Sequence, residues 1–233
     1  MPSKQDNAQR RSRKQSARKR SGPPTIALIA AVVVVALIAV AVLVVLDQGA
    51  GSSQGGTDAP PLEKSYGAAD APVVVVEYAD FQCPWCEKFA MGAEKQLRQD
   101  YADKGQVRFV FRHFAFLGDE STWAAEASEC ANAQDRFWDY HDKLFAEQAG
   151  ENQGAFSRDN LKRFASELGL DTEQFNSCLD SGQYKSRVQD EFNEAQQRGI
   201  DGTPTILVDG QLIQKGSNYE VLQAAVEAAL AGQ

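Results

Sequence analysis

The sequence predicts an α/β fold: a strand–helix unit and a further strand, an inserted block of helices, then a strand–strand–helix unit, all behind one N-terminal membrane-crossing helix. Three observations carry this. The run Val73-Val74-Val75-Val76-Glu77-Tyr78 is β-type and leads into Cys83-Pro84-Trp85-Cys86, which opens a helical pattern. Helical periodicity then dominates about residues 120–198. After it the pattern returns to β, with Asp209-Gly210 between two short apolar runs, a strong hairpin signal.

The chain has 233 residues and a formal charge of −8. Met1–Pro24 carries eight Lys or Arg and one Asp, a net +7 that leaves −15 for the remainder. A basic arm on an acidic protein suits nucleic acid or a membrane surface. The adjoining segment decides between them. Thr25–Leu46 is a run of 22 residues without a charge, rich in Val, Ile, Leu and Ala. At about 1.5 Å per residue it spans a hydrocarbon core of roughly 30 Å. It is longer than a signal-peptide core and ends without a small-residue cleavage site. The positive charges before it place the N-terminus in the cytoplasm and the rest outside. The arm is then a topology signal, and no nucleic-acid partner is expected. The expected organisation is a basic disordered arm at 1–24, a transmembrane helix at 25–46, a Gly/Ser-rich tether at 47–61 and a globular domain at 62–233.

Within that domain a short extended piece near Ser65-Tyr66 precedes the Val73–Tyr78 strand. The helix after Cys83 carries Phe89, Ala93, Leu97 and Tyr101 at every fourth position. Val107–His113 reads as a second strand, with Val107, Phe109, Phe111 and His113 on one face. In the helical block, Trp123, Ala127, Cys130 and Ala131 share a face, as do Phe137, His141, Leu144 and Phe145. Ser157 is an expected N-cap, with Phe156 and Leu161 as its hydrophobic staple; Asp171 with Gln174 resembles a capping box. Tyr184, Val188, Phe192 and Ala195 line the last helix of the block. Thr205–Val208 and Gln211–Gln214 form the expected hairpin, and Tyr219–Leu230 a terminal helix.

A strand feeding a Cys-x-x-Cys that opens a helix is the arrangement of the thioredoxin-like redox motif, and the fold class becomes a thioredoxin-like core with a helical insertion. Unpaired N–H groups and the positive end of the dipole stabilise a thiolate at a helix start. Cys83 occupies that start; Cys86 lies one turn further in. The bland alternative is half of a zinc site, which needs four ligands, and no second close-spaced pair exists. Cys130 and Cys178, on helical faces of a domain read as exported, suit a structural disulfide. Buried free thiols, or a shuttle to Cys83, are the other readings. His113 and His141 lie on apolar stripes and read as hydrogen-bonded core histidines. Glu77, between Val and Tyr, is either a strained or near-edge carboxylate or a buried acid whose raised pKa suits proton handling. Trp85 is an exposed contact for apolar segments or a helix-start packing residue, and Phe137-Trp138 reads as packing.

Three stretches give the domain a resemblance to the DsbA family of exported thiol-disulfide oxidoreductases: Glu77 to Cys86, Phe111-Arg112-His113-Phe114 with the helices through Cys130 and Phe137-Trp138, and Gly199-Ile200-Asp201-Gly202-Thr203-Pro204-Thr205. The resemblance covers essentially all of 62–233. It implies that Cys83 is the nucleophile, as the exposed member of the pair, and Cys86 the resolving thiol. It implies that Pro204 is the family's cis-proline, that Thr203 offers backbone groups to a substrate strand, and that Pro84 and Trp85 belong to the active-site loop. Glu77, six residues before Cys83, stands at the place of the family's buried acid and would exchange a proton with Cys86. The substrates implied are unfolded or reduced exported proteins; a membrane redox partner would reset the pair, and no cofactor is needed because the thiols carry the electrons. The dipeptide Pro84-Trp85 departs from the best-known oxidases of the family, which place a histidine there. Two rivals stay open: an enzyme running toward reduction or isomerisation, and a chaperone-like module using the groove beside Pro204 without redox chemistry.

Overall fold

The computed structural model describes residues 63–233. The expected basic arm, membrane-crossing run and tether (1–24, 25–46 and 47–61) lie outside the described residues. Among the described residues no helix is long and apolar enough to cross a membrane.

Five strands form one mixed sheet: β1 (Ser65–Tyr66), β2 (Val73–Ala79), β3 (Val107–His113), β4 (Thr205–Val208) and β5 (Gln211–Leu212), in the order β1-β3-β2-β4-β5. β2 is central, parallel to β3 and antiparallel to β4; Glu77 pairs with Phe111 on one side and Ile206 on the other. The near-continuous Val run of β2 is what a strand covered on both faces requires. β4 and β5 are joined by Asp209-Gly210, both at positive φ (45° and 78°), as a primed hairpin turn demands. The second arm is shorter than expected, pairing only through Gln211 and Leu212, although Ile213 N–H still donates to the Ile206 carbonyl at 2.9 Å.

The helix after Cys83 differs from a plain α-helix. α1 (Pro84–Phe89) passes into a π-helical turn (Ala90–Glu94), then α2 (Lys95–Leu97) and a second π-helical turn (Arg98–Ala102). In an ideal α-helix, residues four apart drift by about 40° per step around the axis. The wider π turns cancel that drift. Phe89, Leu97 and Tyr101 therefore stay buried, and so does the adjacent row Ala90, Glu94, Arg98 and Ala102.

The insertion comprises α3 (Asp119–Asn132), α4 (Phe137–Ala146), α5 (Arg158–Glu167), α6 (Thr172–Ser181) and α7 (Lys185–Gln197); α8 (Tyr219–Ala231) closes the domain. Cys130 of α3 and Cys178 of α6 form a disulfide across 48 residues, which contributes about 4 kcal/mol in the chain-entropy account. Asp171 caps α6 by accepting from Gln174 N–H, but its own N–H goes to the Gln134 side chain, not back to Gln174. Ser157 takes the N-cap position of α5 without a capping bond from its hydroxyl. The turn before α5 is held instead by Glu120, whose carboxylate accepts from Gly154 and Phe156 N–H. The inward row of β3 joins two cores. Val107 and Phe109 pack with Phe89, Leu97 and Leu222; Phe111 packs beneath the insertion with Phe81, Phe137 and Phe145. Each such buried side chain stabilises the fold by roughly 1.5–3 kcal/mol.

Candidate dithiol site

β2 delivers the chain to a turn built by Asp80. Its buried carboxylate accepts from Gln82 N–H (2.8 Å), Phe116 N–H (2.8 Å), Leu117 N–H (3.1 Å) and the Ser121 hydroxyl (2.6 Å). Four donors fix where the chain leaves the sheet and where α1 begins. Cys83 N–H donates to the Asp80 carbonyl at 3.0 Å, and the Gln148 amide donates to the carbonyls of Phe81 and Cys83. Cys83 is the N-cap, with extended backbone angles, and Pro84 takes the first helical position, where its missing N–H costs nothing.

Cys83 and Cys86 are both free thiols. Cys86 is fully buried, and Cys83 is not the exposed member expected: only 5% of it is accessible. The reason lies 120 residues away. The loop before β4 covers it, with the Thr203 carbonyl 3.5 Å from Sγ, and the Thr203–Pro204 peptide is cis. Trp85 is 65% exposed beside this site, with the Lys88 ammonium over its ring, so it is not a packing residue.

The two sulfurs differ sharply. A bond from the Cys86 thiol is the largest influence on Cys83; with the N–H groups of Cys86 and Trp85 it outweighs burial and lowers the Cys83 pKa to about 6. Burial pushes Cys86 well above the ordinary thiol value, and its bond to Cys83 and the nearby Glu77 push the same way. Glu77 is fully buried in the central strand, so the near-edge reading does not apply; neither carboxylate oxygen has a hydrogen-bond partner. Burial raises its pKa well above the ordinary carboxylate range, with Glu94 and Cys83 adding to the shift.

Glu77 is not alone. One carboxylate oxygen each of Glu77 and Glu94 and a ring nitrogen of His141 lie within 4.8 Å of one another, all buried. His113, Glu129 and Glu191 make a similar group, but the Lys64 ammonium already sits between its carboxylates, 2.6 Å from Glu129 and 2.5 Å from Glu191. These two groups have the donor types a divalent cation would use; neither includes Cys83 or Cys86. His113 has the hydrogen bond expected of a core histidine, to Glu129 at 3.1 Å. Trp138 packs as expected, against Tyr66, Phe109 and Phe137. Sequence reasoning missed Asp80, Gln148 and Glu94. The spacing-four row Ala90, Glu94, Arg98, Ala102, running beside the apolar stripe, is the one signal that could have found Glu94.

A thioredoxin family model matches residues 61–228. Disulfide bond formation protein D of Bacillus subtilis is 34% identical over 170 residues, covering 72% of this chain and 77% of that one. The crystal structure of oxidised BdbD from Bacillus subtilis superimposes with a TM-score of 0.69 at 33% identity, over 73% of this chain and 94% of that one. Na(+)/H(+) antiporter NhaA 1 of Salinispora arenicola is 36% identical over 176 residues, which cover 74% of this chain but only 26% of the antiporter.

Proposed function

The chain belongs to the thioredoxin family, as a DsbA-like thiol-disulfide oxidoreductase, and from that premise we propose that it introduces disulfides into exported proteins through Cys83 and Cys86. The observation that carries the reading is geometric: Cys83 at the start of α1 under the cis Thr203–Pro204 loop, with Cys86 one turn further in and fully buried like Glu77. In the oxidised enzyme a substrate thiolate attacks Cys83 Sγ. The Cys83–Cys86 bond breaks, and its electron pair leaves on the Cys86 sulfur, which takes a proton from Glu77. A second substrate thiolate then attacks the substrate sulfur of the mixed disulfide. The substrate disulfide forms, and Cys83 departs as the thiolate its surroundings favour. Thr203 and Pro204 border the sulfur and would flank an incoming extended segment, with Trp85 as an apolar contact beside it.

The relative named for disulfide bond formation, covered over most of its length, supports the oxidising direction. A domain working outside the cytoplasm and tethered by the uncharged run 25–46 fits that role, with a membrane partner returning Cys83 and Cys86 to the disulfide. The test is the reduction potential of the pair, read by equilibrating the full-length chain with glutathione buffers. The expected value lies nearer the roughly −120 mV of DsbA than the roughly −270 mV of thioredoxin. A value at the thioredoxin end overturns the oxidising direction and makes the pair an electron donor. Cys86→Ser should in addition accumulate mixed disulfides through Cys83, visible on non-reducing gels.

A further inference from the structure

Glu77 has no route of its own to water. It lies in the central strand, fully buried, with no hydrogen bond to either oxygen. Each proton it gives to Cys86 has to be replaced. Two neighbours are built in the same unusual way. Both oxygens of Glu94 and Nε2 of His141 are also buried without a hydrogen bond. These groups converge on one point from three elements: β2, the first π-helical turn and α4.

From that point a path leads outward. Glu94 lies 3.7 Å from His141 Nε2. On the other side of the ring, His141 Nδ1 is 2.8 Å from Asp142 Oδ1, and the Asp142 side chain is 54% exposed. Arg98 fixes both ends, with Nε 3.3 Å from Glu94 and Nη2 2.9 Å from Asp142. The imidazole itself is boxed by Phe81, Phe111, Phe137, Trp138 and Phe145. The other charged or titratable groups around the path are Arg98 on the helix and the two thiols above Glu77.

A purely structural account explains this cluster poorly. Two buried carboxylates without hydrogen bonds cost stability, and only Glu94 has an ion-pair contact, with Arg98, to set against that cost.

We propose that Glu94, His141 and Asp142 form a proton relay between solvent and Glu77, so that the helical insertion supplies the outer half of the route that protonates and deprotonates Cys86. This rests on the reading of Glu77 as the acid for Cys86. During substrate oxidation one proton moves inward: the Asp142 carboxylate, kept charged against burial by His141 and Arg98, takes a proton from water only in transit and passes it to His141 Nδ1, Nε2 releases one to Glu94, Glu94 reprotonates Glu77, and Glu77 has protonated the Cys86 sulfur. When the pair is reoxidised, Cys86 gives its proton to Glu77 and the same transfers run outward. The two half-reactions therefore return the imidazole to its starting tautomer without a ring flip. Burial keeps the Glu94 carboxyl above its ordinary value against the pull of His141 and Arg98, which suits a group that must hold a proton. These three are positioning and transfer groups acting through Glu77; none touches substrate.

The test is single-turnover reduction of the disulfide form of the full-length chain by excess dithiothreitol at pH 7, followed by tryptophan fluorescence. Glu77→Gln, Glu94→Gln and His141→Gln should each slow reduction by about tenfold or more, within the range of general acid catalysis. The Cys83 thiolate should still titrate near 6, followed by its ultraviolet absorbance. A double Glu94→Gln/His141→Gln chain should be no slower than either single variant, because links of one chain act as a unit. Losses that multiply in the double variant mark two independent packing lesions and overturn the relay. Wild-type rates in Glu94→Gln and His141→Gln with a slow Glu77→Gln overturn the relay but leave Glu77 as the acid. A wild-type rate in Glu77→Gln overturns that premise, and the relay with it. If the buried variants do not fold, Asp142→Asn at the exposed mouth decides: a severalfold slowing supports the route, and an unchanged rate overturns it.

Discussion

Two buried clusters of ionisable groups lie in this domain, and they are solved in opposite ways. In one, Lys64, Glu129, Glu191 and His113 satisfy each other. The ammonium bridges the two carboxylates, His113 N–H donates to Glu191 and its ring bonds Glu129. Burial alone would raise Glu129, but the bond from His113 and the charge of Lys64 hold it well below the usual carboxylate range. In the other, Glu77 and Glu94 face each other with no hydrogen bond, and burial raises both. The first cluster ties β3 and the residue before β1 to α3 and α7. The second, raised by burial, is the one we propose to hold protons for Cys86. Pairing makes a buried charge structural; the lack of it leaves the group free to titrate.

The sharpest way to break the contrast is to unpair the first cluster. Lys64→Met removes the one fully buried cation between Glu129 and Glu191, leaving them the partly exposed Arg187 at 3.2 and 3.9 Å, and should destabilise the domain by about 3 kcal/mol. Urea unfolding at pH 7 measures it, and a loss below about 1 kcal/mol would mean that the network is decorative.

The same operation on the second cluster should have the opposite sign. Glu77→Leu removes a buried carboxyl that has no partner, and should raise stability by about 1–3 kcal/mol at pH 7 while slowing redox turnover. The pH dependence comes from the direction of the shift. Glu77 is held protonated in the folded chain above its ordinary value. The folded state thus binds more protons than the unfolded state once pH passes the unfolded carboxylate pKa, and stability declines as pH rises from there. The Leu variant should lose the Glu77 part of that decline. Unfolding curves at pH 4.5 and 7 for both chains would show it, and parallel curves would mean that Glu77 is already charged.

The redox half of this was legible in the sequence, and the proton half largely was not. Cys83, Cys86 and Glu77 lie within ten residues of one another on a strand–turn–helix unit, and Asp209-Gly210 announces its own turn, so local pattern suffices. Glu94 and Arg98 look like ordinary polar residues of an amphipathic helix; only the π-helical turns bring their row inward. His141 stood out as a histidine on an apolar face, but its neighbours Glu77 and Glu94 come from other elements. Lys64 meets Glu129 and Glu191 across 65 and 127 residues, separations at which no periodicity speaks. The burial of Cys83 has the same origin, since it is a loop 120 residues on that covers the sulfur.

The smallest effect tests whether the unpaired cluster is neutral beneath the sulfurs. Cys83 titrates at about 6 in the folded dithiol form against an ordinary 9.0. Its thiolate therefore stabilises that form fully above the ordinary value, and the gain disappears as pH falls through 6. At pH 7 it amounts to about 1.4 kcal/mol, or roughly 30 mV on a two-electron couple. That is a minor share of the roughly 150 mV separating thioredoxin from DsbA, so a strongly oxidising potential would have to draw mostly on other differences between the dithiol and disulfide forms. The disulfide form has no thiol to titrate. The stability of the dithiol form relative to the disulfide form should thus shrink by about 1.4 kcal/mol between pH 7 and pH 5, read from urea unfolding of both. Glu77→Gln should leave that difference in place, because a protonated carboxyl and an amide carry the same charge. If Glu77 were ionised under Cys83, removing its charge would lower the thiol further and enlarge the difference at pH 7, and the second cluster would have to be read as charged like the first.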